Sequence, residues 1–207
     1  MIKYLILITL TFSIVGCKEQ TNLKLGSKTN PKDPIEIIKE REQQSMQKSN
    51  SEIGELISAF DFKVKTNNLK DFEDGFIPWA DLENPINDLP NLAKRDEIII
   101  NNQKIKIIID YPLTNQYEFT LKSDKGFSRG QLLSEISKHY YSVYEEEEKT
   151  ATIKTIPIEK RTIMYNRNET DGKYGIWGHD IADLDISGIL VYKTNNGEII
   201  ITLNIES

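Results

Sequence analysis

Cysteine and histidine are scarce in this chain. Its 207 residues include one cysteine, Cys17, and two histidines. One cysteine cannot form an internal disulfide or a cysteine metal cluster, so an apolar core must stabilise the fold. The chain also lacks a Walker loop, a dinucleotide-binding glycine pattern and an H-E-x-x-H zinc motif. We therefore expect no cofactor and no bound metal.

A block of basic residues is also missing, and the formal net charge is −6. Nucleic-acid-binding proteins carry basic patches, and proteins that dock electrostatically on anionic lipid carry basic clusters. The sequence therefore argues against a nucleic-acid partner and against charge-driven docking on a membrane.

The most apolar stretch of the chain, residues 4–15, is shorter than the roughly 20 residues that a spanning helix needs. Lys3 precedes this stretch, and Gly16 and Cys17 follow it. A basic start, a short apolar run and small residues at a cleavage point are typical of a secretory signal peptide. We expect residues 1–16 to be removed.

Residues 14–17, Ile-Val-Gly-Cys, resemble the lipobox of bacterial lipoprotein precursors. The resemblance implies cleavage before Cys17, a diacylglyceryl thioether on its sulfur and a fatty acid such as palmitate on its amino group. The partner of the acylated cysteine would be a lipid bilayer, because several acyl chains together hold a protein stably. The alternatives are an ordinary signal peptide with an incidental cysteine, and an uncut anchor.

The polar residues 17–33 are predicted to form a lipidated tether. Lys18 and Glu19 resemble part of the export signal of surface lipoproteins in one group of Gram-negative bacteria. Gln20 stands where that signal usually has a second acidic residue. We expect a cell-membrane or outer-membrane location, with the outer membrane favoured, and leave surface exposure open.

The remainder is predicted to be an N-terminal helical segment over residues 34–60 and a single α+β domain over residues 61–207. Asp33 suits a helix cap and Pro34 suits the first helical position. A break near residues 49–51 would divide this segment into a partly exposed stalk and a second helix that packs on the domain.

Alternating and β-branched runs predict several strands. Residues 98–100 and 104–110 flank an Asn-containing turn and predict a β-hairpin. Residues 117–122 alternate apolar with polar side chains and predict a third strand. Residues 184–205 predict a second hairpin with an Asn-Gly turn, and residues 150–164 are strand-like.

The strongest helix signal covers residues 128–146, with Ser128 as the cap and Gln131 three residues later. Residues 145–148 are four glutamates, which oppose the helix dipole and predict a solvated, fraying last turn. The irregular residues 61–97 are expected to place Trp79 in the core. The predicted fold is α+β: a mainly antiparallel sheet with this helix on one face, in two layers, plus the helical stalk. The predicted buried stripe of the helix is Leu132, Leu133, Ile136, Tyr140, Val143 and Tyr144.

Residues 166–185 combine glycines, a tryptophan, a histidine and many charged side chains, and they predict a structured loop. This loop is the predicted binding face for a small ligand or an unknown envelope protein. The alternative is structural: the glycines form turns and the polar side chains satisfy buried backbone groups. The candidate binding residues are Arg167, Asp171, Tyr174, Trp177, His179 and Asp180.

Two enzymatic alternatives remain beside the binding module. Residues 126–130 fit the G-x-S-x-G pattern of a nucleophile elbow around Ser128, and Asp171 and His179 follow in hydrolase order. Ser128 is equally explained as a helix cap, and no series of βαβ units is visible. His179 with nearby carboxylates would permit a metal-assisted hydrolase, although no known ligand spacing occurs. These carboxylates are Glu169, Asp171, Asp180, Asp183 and Asp185.

Residues 126–185 also resemble segments of uncharacterised hypothetical proteins, and this resemblance implies no activity.

Overall fold

The computed structural model describes residues 34–46, 50, 52–162 and 167–207. The predicted signal peptide, the lipidation point Cys17 and the tether lie outside these ranges. Within them, no helix combines the length and the hydropathy that crossing a membrane requires.

The helices follow local sequence signals. The helix predicted at Ser128 is present, because the Ser128 Oγ accepts a hydrogen bond from the Gln131 N–H at 3.3 Å and caps it. The predicted apolar stripe faces the interior along its length. The helices are α1 (Pro34–Met46), α2 (Pro85–Asp88) and α3 (Arg129–Thr150), and 3₁₀ turns occupy Leu89–Asn91, Ile158–Lys160 and Ile181–Asp183.

Strands form the other part of the mixed fold. They are β1 (Glu55–Asp61), β2 (Val64–Lys65), β3 (Phe76–Ile77), β4 (Ala80–Asp81), β5 (Ile98–Ile100), β6 (Lys104–Ile109), β7 (Tyr117–Lys122), β8 (Phe127–Ser128), β9 (Asp185–Lys193) and β10 (Ile199–Glu206).

Six of these strands form a mainly antiparallel sheet. Five lie in the order β1-β9-β10-β6-β7, and β4 also pairs with β9. Among the described strands, β10 and β6 are the one parallel pair. The pairs β2–β3 and β5–β8 form two small antiparallel sheets.

One apolar cluster joins the sheet to α3. Ile105, Ile107 and Ile109 alternate along β6 and are fully buried with Leu133 and Ile136 of α3. The predicted strand at residues 117–122 and the second hairpin are confirmed as β7 and β9–β10.

The first predicted hairpin is wrong. Residues 98–100 form β5, which pairs with β8 rather than with β6. Gly126 makes this possible, because its φ is +77° and a Cβ there would stand 2.4 Å from the Ile100 carbonyl oxygen. β6 instead lies between β7 and β10 in the main sheet.

Three further predictions need correction. The second half of the predicted helical segment is a strand, because Glu55–Asp61 pairs with the edge of β9; a short apolar run does not distinguish these states. The residues after α3 form no strand before the 3₁₀ turn at Ile158–Lys160, because side chains of the following loop take up their backbone groups. Trp79 is half-buried edge-on to Phe72 instead of joining the core cluster.

Candidate functional site

The predicted loop is structured, and its described residues 167–184 are here called the site loop. Its backbone is hydrogen-bonded to the connection between β6 and β7. The Thr114 N–H donates to the Tyr174 carbonyl at 3.0 Å, and the Trp177 N–H donates to the Pro112 carbonyl at 3.2 Å. These bonds hold the site loop against the body of the protein.

The anchor of the site loop is Glu147, in the last turns of α3. Its side chain is 0% exposed. One oxygen accepts from the Thr170 hydroxyl at 2.6 Å and the Gly172 N–H at 2.8 Å. The other accepts from the Tyr174 N–H at 2.7 Å and the Gly175 N–H at 3.2 Å. The prediction of a fraying, solvated glutamate run is therefore wrong at this position.

Burial raises the pKa of the Glu147 carboxyl, but its hydrogen bonds from Thr170 and the loop amides lower it further, and the net pKa lies below the usual value. The carboxylate is thus held ionised in the interior. Gly172 permits the close approach, because a Cβ there would stand 2.7 Å from a Glu147 oxygen.

The six candidate binding residues do not form an exposed patch. Arg167, Tyr174 and Trp177 are buried. Asp171 binds the chain after α3 by accepting hydrogen bonds from the Thr152 and Ile153 amides at 2.8 and 2.6 Å. Four of the six predicted residues are therefore buried or bound to neighbouring backbone.

The remaining two, His179 and Asp180, each meet a partner that the sequence did not indicate. The His179 Nε2 lies 2.6 Å from a carboxylate oxygen of Glu42 in α1. Asp180 pairs with the buried guanidinium of Arg161 through contacts of 2.6 and 3.1 Å. Both contacts use residues at least nineteen positions away, so neither has a local signal in the sequence.

An aromatic cluster connects α1 to the site loop. The ring of Tyr111 stands edge-on to Trp177 with 5.3 Å between centroids, and 5.6 Å from His179. The Tyr111 hydroxyl donates to Glu42 at 2.8 Å, and the guanidinium of Arg41 lies 5.8 Å from the Trp177 centroid. Burial raises the pKa of the Tyr111 hydroxyl far above its usual value, and the nearby Glu42 carboxylate adds to this.

Two clefts border α1. The larger, here called the polar cleft, has a volume of about 780 Å³ and is lined by α1, the His179–Glu42–Tyr111 contact and β10. The smaller, here called the apolar cleft, has a volume of about 320 Å³ and lies between α1, the segment after α3 and the site loop. Ile35 and Ile38 of α1 line both clefts.

The structure does not bring together the serine-hydrolase candidates. Ser128 caps the first turn of α3, whereas Asp171 binds Thr152 just beyond its last turn. A helix of 22 residues is about 33 Å long. His179 accepts a hydrogen bond from Tyr144, sixteen residues along the helix, at its backbone carbonyl. Ser128 is therefore far outside hydrogen-bonding distance of both Asp171 and His179.

The structure does not support the metal-assisted hydrolase either. In the part of the chain that the structure describes, no three histidine, cysteine or acidic side chains converge on a possible metal position. The carboxylates around His179 are used elsewhere: Glu169 pairs with Arg41, and Asp183 accepts from the Asp180 N–H.

The sequence also missed several residues that shape the site. Arg41 and Glu42 lie in a very polar helix without a distinctive motif, and Glu147 lies within a glutamate run. For Tyr111, which precedes Pro112, its aromatic side chain was the one feature of the sequence that could have indicated a role in the site. Their roles depend on contacts between distant parts of the chain.

The chain matches no protein-family model, no curated protein and no solved structure.

Proposed function

We propose that the chain is a lipid-anchored cell-envelope protein whose folded part is a binding module. The lipobox resemblance at Cys17 supports the anchor, and the outer membrane is the favoured location. The partners are the bilayer, through the acylated cysteine, and a small ligand or an envelope protein at the clefts beside the site loop.

The observation that carries the binding function is the pair of clefts that share α1 as a wall. Their volumes, about 780 and 320 Å³, lie within the range of small-molecule sites. The site loop behind them is fixed by Glu147, so its side chains are held in place before a ligand arrives. A preorganised wall of this kind favours binding because less conformational entropy is lost.

The hydrolase alternatives have less support. Ser128 is used as a helix cap at the far end of α3 from the site loop. His179 is paired with Glu42, and the acidic residues near it in sequence have other partners.

The finer architecture belongs to the same proposal. The apolar stripe of α3 shares a core with the inward side chains of β6, which supports two layers with α3 on one face of the sheet. The tether and α1 would then connect the acylated cysteine to that body.

The anchor is tested by replacing the acylation point, Cys17→Ser. We expect the wild type to stay in the carbonate-washed membrane fraction and the variant to lose most of that fraction, because the acyl chains are the attachment. Mass spectrometry of the mature N-terminus supplies the covalent evidence. A variant that remains membrane-bound after the wash would overturn the anchor.

The binding function is tested by filling the shared wall of the clefts. Ile38 borders both, so Ile38→Trp should reduce the space for a ligand. Native mass spectrometry of wild type extracted from envelopes should show a bound mass that is absent from this variant. Ile86→Trp is the matched control, because Ile86 is 75% exposed on α2 and borders neither cleft. Equal bound mass in wild type and Ile38→Trp would contradict the proposal.

A further inference from the structure

The lining of the apolar cleft includes a buried arginine that has no acidic partner among the described residues. Arg167 lines the cleft and is 3% exposed. Its Nε is buried without a hydrogen-bond partner. Among the described residues, no carboxylate comes within salt-bridge distance of its guanidinium, whose contacts are the Thr155 hydroxyl at 2.5 Å and the face of Tyr144 at 5.0 Å.

This arrangement is costly in the empty protein. An arginine side chain keeps its charge at all relevant pH values, so it cannot escape burial by losing a proton. A buried charge without an ionic partner is destabilising, and a buried donor without an acceptor adds to that cost. An anion that enters the cleft beside this guanidinium would supply the missing counter-charge.

The other cations of the cleft help to define the charge of that anion. Arg41 pairs with Glu169, and Arg161 pairs with Asp180. The fourth cation of the lining, Lys160, is exposed to solvent. Among the described residues, Arg167 is thus the buried guanidinium of this lining that lacks a carboxylate, and a ligand with a single negative charge balances it.

The walls of the cleft define the rest of the ligand. Ile35, Ile37 and Ile38 of α1 face Ile156 and Trp177 across it. Ile156 is 42% exposed, and Ile37 is also exposed, so the apolar surface continues to the mouth. Burying such surface is favourable for an apolar chain. A volume of about 320 Å³ is at the small end for ligand sites, which suits a tail of moderate length.

We propose that the apolar cleft binds a monocarboxylate with an aliphatic tail, with the carboxylate at Arg167 and the tail along the isoleucines of α1 and Ile156. The flat guanidinium fork matches a carboxylate, and the interaction is strong where water is excluded. This inference rests on the proposed binding function and names its ligand class.

The test is photo-crosslinking of the purified full chain with a decanoate that carries a diazirine on its tail. We expect adducts on the cleft peptides around Ile37, Ile156 or Trp177. Unlabelled decanoate should compete, and decanol, which has the tail without the charge, should compete at least tenfold less well.

Two variants separate recognition from folding. Arg167→Gln should weaken labelling about ten- to a hundredfold, because it removes a charge-assisted hydrogen bond. Because Arg167 is buried, Ile156→Asp at the exposed mouth provides a second variant, and we expect it to repel the carboxylate and weaken labelling about tenfold. Ile86→Asp, the same substitution away from the cleft, should label like the wild type.

Equal competition by decanol and decanoate would overturn the inference, as would full labelling of Ile156→Asp. These outcomes differ from the outcomes that would overturn the proposed function. Cleft labelling that fits the inference, together with a Cys17→Ser chain that stays membrane-bound after the carbonate wash, would uphold the ligand class while the anchor fails. A bound mass sensitive to Ile38→Trp, with no cleft adduct, would uphold the binding module while this ligand class fails.

Discussion

A single carboxylate, Glu147, determines whether the site loop is ordered. It accepts four hydrogen bonds from residues 170–175 and has no exposed surface. Hydrogen bonds to a charged group are stronger than those between neutral groups, and buried N–H donors are costly to leave unpaired. The order of the loop is therefore linked to the ionisation of one side chain.

Glu147→Gln should destabilise the protein by about 3 kcal/mol, because the amide nitrogen of glutamine donates where the loop requires an acceptor. Urea unfolding at pH 7 measures the loss. Glu145→Gln is the control, since Glu145 forms an exposed i,i+4 pair with Lys149 and its replacement should change the stability little. Equal urea midpoints for wild type and Glu147→Gln would show that Glu147 does not hold the site loop in place.

The Glu147 carboxylate also makes the stability of the protein depend on pH. Because the pKa of Glu147 is lower in the folded state, its contribution is present above the unfolded value of about 4.5 and is lost as the pH falls through the folded pKa. Between pH 5 and pH 3 the wild type should therefore lose more stability than Glu147→Gln.

Asp185 differs from Glu147 because its pKa is raised rather than lowered. It begins β9 beside Asp81 of β4 and Glu206 of β10. Burial, followed by repulsion from Asp81, Asp88 and Glu206, raises its pKa to about 6. A raised carboxyl pKa stabilises the folded state fully below the unfolded pKa, and this stabilisation is lost as the pH rises through about 6.

Asp185→Asn should therefore be more stable than the wild type at pH 7, by about 1 to 2 kcal/mol after allowance for its partial exposure, and nearly equal to it at pH 4. Thermal unfolding across this pH range measures the difference. Asp124→Asn, in an exposed turn, should follow the wild type throughout. A constant difference between Asp185→Asn and the wild type from pH 4 to 7 would argue against this titration.

At the scale of elements, α1 is attached to the site loop mostly by polar contacts. Arg41 donates to Glu169 at 2.5 Å and to Thr114 at 3.0 Å, and Glu42 meets His179 and Tyr111. Partly exposed ion pairs contribute about 1 kcal/mol or less each, and salt weakens them. α1 is thus held more weakly than α3, whose stripe lies in the core.

Arg41→Ala should speed amide exchange in residues 34–46 severalfold and leave exchange in α3 unchanged, because the loss is local to α1. Hydrogen–deuterium exchange by mass spectrometry measures both regions in one experiment. Gln44→Ala, at an exposed position on the same helix, is the control. Exchange in α1 that is equally slow in Arg41→Ala would show that these contacts do not hold the helix.

The elements also show which predictions the sequence supports. α3, β7 and the β9–β10 hairpin depend on signals within a few residues, namely the Ser128 cap, alternation and an Asn-Gly turn, and all were predicted. β5 has an equally clear β-branched run, but its partner β8 follows 27 residues later. A local pattern identifies a strand without identifying its neighbour.

For the whole molecule, the same limit applies to the candidate site. Composition and glycine spacing located the site loop, but not its partners. Glu42 and Glu147 approach it from helices that precede it in the chain. Arg167 was predicted as a binding residue or, alternatively, as a partner of buried backbone groups, and the sequence did not decide whether its charge is buried. A charged side chain looks solvated in sequence, and only the three-dimensional contacts show which charges are enclosed.

The position of β10 affects when the sheet can form. Although β10 is the last strand in sequence, it lies between β9 and β6 and is parallel to β6. During synthesis, β6 and β7 leave the ribosome long before the strand that joins them to β9. The β6–β7 pair and the β1–β9 pair are therefore joined in one sheet only after residues 199–206 have been made.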